Sequence, residues 1–181
     1  MSGSGRGEAR FRALDGAELF WQYWRPPHPR AVLINVHGLG DHSGLYPTIA
    51  EWFPPRGVAV YALDTRGNGR SPGRRGHVDR WDVYREDLRA FVRLVHDREE
   101  ILPVLLGHSL GGLMVVDQAI AYPETVKSVA AAAPALGSIG TPTPLLWLAQ
   151  ILSRTPSMMA TAANRPPRSR LWSHRQAPAA S

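Results

Sequence analysis

Residues 105–112 read LLGHSLGG, between an apolar run and a segment with helical spacing. Gly107-His108-Ser109-Leu110-Gly111 fits G-x-S-x-G, the pattern of a sharp strand-to-helix turn. Such a turn holds its serine in a strained backbone conformation, and small residues two before and two after relieve the crowding. The hydroxyl then projects above the sheet, and free N–H groups at the helix start face the same point. A tight turn around an ordinary buried serine would not need Gly107, Gly111 and Gly112 together. Ser109 is the candidate nucleophile of this chain.

Working outward, AVLINVHG (31–38) and VAVYALD (58–64) are continuous apolar runs, as expected of strands buried on both faces. PVLLG (103–107) and the weaker SVAAAAPA (128–135) complete the set. Between them, Trp81, Tyr84, Leu88, Phe91, Val92 and Val95 recur at helical spacing over 79–98. Leu110 to Ala121 reads as a second helix ending near Pro123, and 46–53 as a shorter one before Pro54-Pro55. Near the N-terminus, FRALDGAELFWQYWRPP has two short runs around Asp15-Gly16, a hairpin signal. Strands alternating with helices predict an α/β fold, a mostly parallel sheet with helices on both faces.

In such a sheet, functional groups collect at the carboxyl ends of the strands. One exit is HGLGDHSG (37–44). Its His37-Gly38-Leu39-Gly40 turn lets the Leu39 N–H point at an acyl oxygen, forming an oxyanion hole with the Leu110 N–H. Single donors of this kind are worth roughly 3–4 kcal/mol of barrier. His37 is expected to brace the loop rather than act as a base. A second exit, DTRGNGRSPG (64–73), is GxGxxxG rather than GxGxxG and lacks the Lys-Ser/Thr of a phosphate loop. Asp64 is expected to fix this turn by local hydrogen bonding.

HGLGDHSG, DTRGNGRSPGRRGHV and LLGHSLGG, in this order and spacing, resemble the monoacylglycerol lipase/lysophospholipase branch of the α/β-hydrolases, the serine aminopeptidase S33 or hydrolase 4 type. The resemblance runs from about Phe11 to Leu152. It implies an eight-stranded sheet with a helical cap after the sixth strand. It also implies hydrolysis of a monoacyl lipid or similar ester with neither cofactor nor metal. Carried over by motif, Ser109 is the nucleophile and Leu39 and Leu110 are the oxyanion donors. Gly38, Gly40, Gly107, His108, Gly111 and Gly112 support them. A serine at the elbow argues against haloalkane dehalogenases and epoxide hydrolases, whose nucleophile is an aspartate. The family places its acid and histidine after the cap, in chain order Ser, Asp, His. By that spacing both fall beyond residue 181, so the triad acid and base, the last strands and most of the cap are expected to be missing. His174 is the only histidine after Ser109 and lies without any acid after Glu124; His42, His77 and His96 read as surface or loop residues.

The expected organisation is an N-terminal core over 1–140, the beginning of a cap over 141–163 and a disordered basic tail over 164–181. The net charge of +6 invites a nucleic-acid reading, but Lys127, Arg154, Arg165, Arg168, Arg170 and Arg175 supply all of it, mostly from that tail. A nucleic-acid protein carries its basic stripe on the folded body, so no nucleic-acid partner is expected. The tail composition suggests either a reading frame broken between about Ser153 and Asn164 or a disordered C-terminus on a deliberately short protein. With no cysteine, thiolate chemistry is excluded. Lacking a leader-like or membrane-spanning run, the chain is expected to be soluble and cytoplasmic. Leu145, Leu148, Ala149 and Leu152 share a helical face suited to an acyl chain and to peripheral lipid contact. An uncovered SVAAAAPA edge invites self-association. The competing readings are a non-catalytic remnant that binds lipid or a partner, an acyltransferase using the same elbow, and a peptidase.

Overall fold

The computed structural model describes residues 5–136. The expected cap segment and basic tail lie outside the described residues. Six strands form one sheet: β1 (Gly5–Arg12), β2 (Glu18–Arg25), β3 (Ala31–Val36), β4 (Val58–Leu63), β5 (Val104–His108) and β6 (Ser128–Ala132). Their order is β1-β2-β4-β3-β5-β6. The β1–β2 hairpin closes where the Asp15-Gly16 dipeptide stands; Gly16 has φ 86° and the Asp15 carboxylate accepts the Ala17 N–H at 3.1 Å. β2 pairs antiparallel with β4, while β4, β3, β5 and β6 run parallel.

Three α-helices connect the parallel strands: α1 (Pro47–Trp52), α2 (Trp81–Glu99) and α3 (Leu110–Ala121). α2 buries Tyr84, Leu88, Phe91, Val92 and Val95, the stripe its spacing marks out. These pack with Phe11, Leu19 and Trp21 of the hairpin and Ile34, Val36, Tyr61 and Leu63 of the central strands. α3 contributes Met114 and Val115 to the same core. On the other face, Gln22 and Trp24 of β2 share a cleft with Tyr46, Pro47 and Ala50 at α1. Helices therefore lie on both faces of a mostly parallel sheet. β6 is an edge among the described residues, with Ser128, Ala130, Ala131 and Ala132 exposed. No helix among the described residues is long and apolar enough to cross a membrane.

Candidate active site

β5 runs straight into α3 through Ser109, which has φ 52° and ψ −115°. That conformation is costly for a residue with a Cβ. Its surroundings impose it. The Ser109 N–H donates to the Ala132 carbonyl at 3.0 Å, and the Ser109 carbonyl accepts the Leu113 and Ala135 N–H groups at 3.1 and 3.0 Å. A Cβ on Gly107 would strike the Gly111 carbonyl, and one on Gly111 would strike the carbonyls of Val36 and His37. On Gly112 it would sit 3.0 Å from Pro134 Cα. The glycines thus let three backbone segments meet under the serine. Among the described residues, nothing hydrogen-bonds the Ser109 hydroxyl or accepts the Leu110 N–H.

The β3 exit packs directly on this elbow. A Cβ on Gly38 would lie 3.2 Å from His108 Nδ1 and 3.5 Å from the His108 carbonyl oxygen. Residues 38–41 form a turn in which the Gly38 carbonyl accepts the Asp41 N–H at 3.2 Å and Gly40 has φ 79°. A positive φ at the third position is the type II signature. Leu39 is 47% exposed, and its N–H, like that of Leu110, has no acceptor among the described residues. The Tyr46 hydroxyl donates to Asp41 Oδ2 at 3.0 Å; burial, with Asp41 beside it, pushes the phenol up to about 12.

His37 is buried and engaged on both nitrogens: Nε2 accepts the Thr65 N–H at 3.0 Å, and Nδ1 stands 2.7 Å from the Gly38 carbonyl oxygen. Burial holds its pKa below the ordinary imidazole value. It is a neutral brace between two loops and has no free nitrogen for proton transfer. The β4 exit is closed by Asp64, whose Oδ1 accepts the Ser43 N–H at 2.6 Å and whose Oδ2 accepts the Arg70 N–H at 2.8 Å. Asp64 fixes its turn, and it also ties that turn to the β3 exit, a reach of 21 residues that sequence reading missed. A Cβ on Gly69 would strike the same carboxylate, so the glycine spacing there serves closure of the turn. Among the described residues, His42, His77 and His96 bond elsewhere than to Ser109. His42 Nδ1 accepts the Gly44 N–H at 3.1 Å, exposed His77 stands 3.3 Å from Asp79, and His96 lies 3.7 Å from Asp97. Among the described residues no group of His, Asp and Glu could hold a metal ion.

A parallel sheet over which a glycine-flanked serine bridges strand and helix is the architecture of an α/β-hydrolase. A family model described as serine aminopeptidase, S33 (hydrolase 4) matches residues 27–177, and the chain belongs to this family. A monoacylglycerol lipase of Mycolicibacterium smegmatis is 34% identical over 148 residues, covering 81% of this chain and 53% of that protein. A monoglyceride lipase of Rattus norvegicus is 38% identical over 104 residues, covering 56% and 34%. Among solved structures, a monoacylglycerol lipase of Paleococcus ferrophilus superposes with a TM-score of 0.62 at 36% identity, covering 77% of this chain and 52% of that one. An α/β-hydrolase from a Penicillium species gives 0.68 at 28% identity, covering 81% and 53%. The chain spans about half the length, or less, of these relatives.

Proposed function

We propose that the chain carries the nucleophile-bearing half of a serine ester hydrolase acting on monoacylglycerol, lysophospholipid or a similar acyl ester. Ser109 is the nucleophile in this reading, and the Leu39 and Leu110 N–H groups receive the oxyanion. The observation that carries it is the Ser109 backbone at φ 52°, imposed by contacts that only glycine at 107 and 111 permits. Such strain costs about 1–3 kcal/mol and collects at functional positions. The substrate class is supported by the names of the relatives, monoacylglycerol lipases foremost and a Bacillus subtilis phospholipase among them. A soluble, cytoplasmic setting with reversible contact to the lipid that holds the ester completes the reading.

Ser109 Oγ would attack the ester carbonyl carbon, the carbonyl oxygen taking negative charge beneath the two N–H groups. Collapse expels the alcohol and leaves an acyl-serine, which water then hydrolyses. The hydroxyl proton must pass to a base, and no described imidazole pairs with Ser109. An unassisted serine hydroxyl is a poor nucleophile near neutral pH. Where the oxyanion groups and binding survive, loss of triad members leaves roughly 10³–10⁴-fold acceleration over water. Slow turnover is therefore expected of the 181-residue chain.

The test is covalent labelling by a fluorophosphonate. Slow, stoichiometric modification should appear on the Ser109 peptide by mass spectrometry and vanish in Ser109→Ala. The competing reading is a non-catalytic lipid- or partner-binding protein that keeps the elbow as architecture; among the described residues no imidazole bonds to Ser109. An unlabelled Ser109 would select it.

A further inference from the structure

Between the β3 and β4 exits lies a closed circuit of buried and part-buried polar groups whose bonds run in one direction. The Gly40 N–H donates to Asn68 Oδ1 at 3.3 Å. Asn68 Nδ2 donates to the Arg66 carbonyl at 3.1 Å and to Thr65 Oγ1 at 3.0 Å. Thr65 Oγ1 stands 3.2 Å from His37 Nε2, and His37 Nδ1 stands 2.7 Å from the Gly38 carbonyl oxygen. A carbonyl can only accept, so His37 Nδ1 carries the proton and the neutral ring presents a lone pair at Nε2. The Thr65 N–H donates to that lone pair at 3.0 Å, and the Thr65 hydroxyl, which accepts from Asn68, shares it as the longer bond at 3.2 Å. The Arg66 carbonyl fixes which end of the Asn68 amide faces inward. Five groups form a one-way ring, from the Gly40 N–H round to the Gly38 C=O, closed by the covalent Gly38-Leu39-Gly40 segment. His37, Thr65 and Asn68 are 1%, 2% and 4% exposed, so water is kept from the bonds among these three side chains, while the Gly40 link is part-buried.

The ring acts on one peptide unit. Gly38 C=O and Leu39 N–H belong to the same planar trans amide, so they point in opposite directions. Fixing the carbonyl with His37 Nδ1–H and the Asp41 N–H aims the Leu39 N–H. Donation into that carbonyl also polarises the amide, and a chain of bonds oriented one way strengthens each member. Asn68 adds a second constraint. A type II turn differs from type I by a flip of its central peptide, here the one carrying the Gly40 N–H. Glycine tolerates either form, and Asn68 Oδ1 selects the one observed.

We propose that Asn68 and Thr65 are positioning residues of the oxyanion site, acting through this one-way ring to lock and polarise the Gly38–Leu39 peptide. The inference rests on the reading of Leu39 as an oxyanion donor. Neither residue touches the reacting atoms.

The experiment measures phosphonylation of Ser109 by a fluorophosphonate against reagent concentration, well below each variant's melting temperature. Asn68→Ala and Thr65→Val should lower the limiting rate by about tenfold or more, with half-saturation little changed. Thr65→Ser keeps the hydroxyl and should restore the rate to within about twofold of wild type, even where its melting temperature stays depressed. If Thr65→Val and Asn68→Ala melt lower but label at the wild-type rate, the ring is scaffolding only and the proposal falls. If wild-type Ser109 does not label at all, the underlying reading falls instead.

Discussion

Gly111 shows how little room the elbow leaves. Its hypothetical Cβ meets two backbone carbonyls, at Val36 and His37, neither of which can rotate away as a side chain could. Overpacking a well-fitted site costs about 1–3 kcal/mol. Gly111→Ala is expected to lower the unfolding free energy from urea denaturation by at least that much and to abolish Ser109 labelling. Gly40→Ala meets no atom and should lose only what its positive φ requires, about 1 kcal/mol. His37 carries a pH dependence whose sign follows from burial. Its folded pKa lies below the ordinary value of 6.5. As pH falls through that value, the unfolded chain takes a proton that the folded chain refuses. The stability His37 provides is present above pH 6.5 and is lost below it. The advantage of wild type over His37→Asn should therefore shrink between about pH 7.5 and 5 in chemical denaturation. An advantage constant with pH would contradict it. The elbow glycines were legible in the sequence because their spacing is a local steric code. Asn68 and Thr65 were not: their partners sit 28 residues away, and only the parallel register of β3 and β4 brings them together.

At the scale of elements, Arg66 ties the hairpin, the β4 exit and α2 at one point. It donates to Asp87 at 2.9 and 2.9 Å and to Asp15 at 2.7 and 3.0 Å. The two pairs are not equal. The Asp15 side chain is 56% exposed, and such pairs contribute about 0–1 kcal/mol. Asp87 is 5% exposed, so deleting Arg66 strands a buried carboxylate, a loss of about 3–5 kcal/mol. Arg66→Ala should destabilise by that amount, and adding Asp87→Leu should recover part of it in a double-mutant cycle. Long apolar runs and a period of 3.6 made α2, α3 and the parallel strands legible. The strand order was not: continuous apolar runs say that strands are buried, not that β4 lies between β2 and β3.

For the molecule as a whole, we propose that the β6 edge governs self-association. It offers Ser-Val-Ala-Ala-Ala with no charge, and its outer edge is unpaired among the described residues. Natural edges are blunted by charge, proline or a bulge. Self-association is expected in light scattering, and Ala130→Lys on the exposed strand should shift it toward monomer. A monodisperse wild-type monomer would refute this.

The two bonds that clasp Ser109 from β6 and beyond come from Ala132 and Ala135, downstream of it in the chain. As the polypeptide leaves the ribosome, strands β3, β4 and β5 emerge before either clasp exists. The serine turn therefore tightens late, once residue 135 is free to reach back. Any nascent chain released earlier carries the same serine on a relaxed turn. The strained Ser109 backbone is thus completed by the last segment of the described core to be made, after β3, β4 and β5 are already in place.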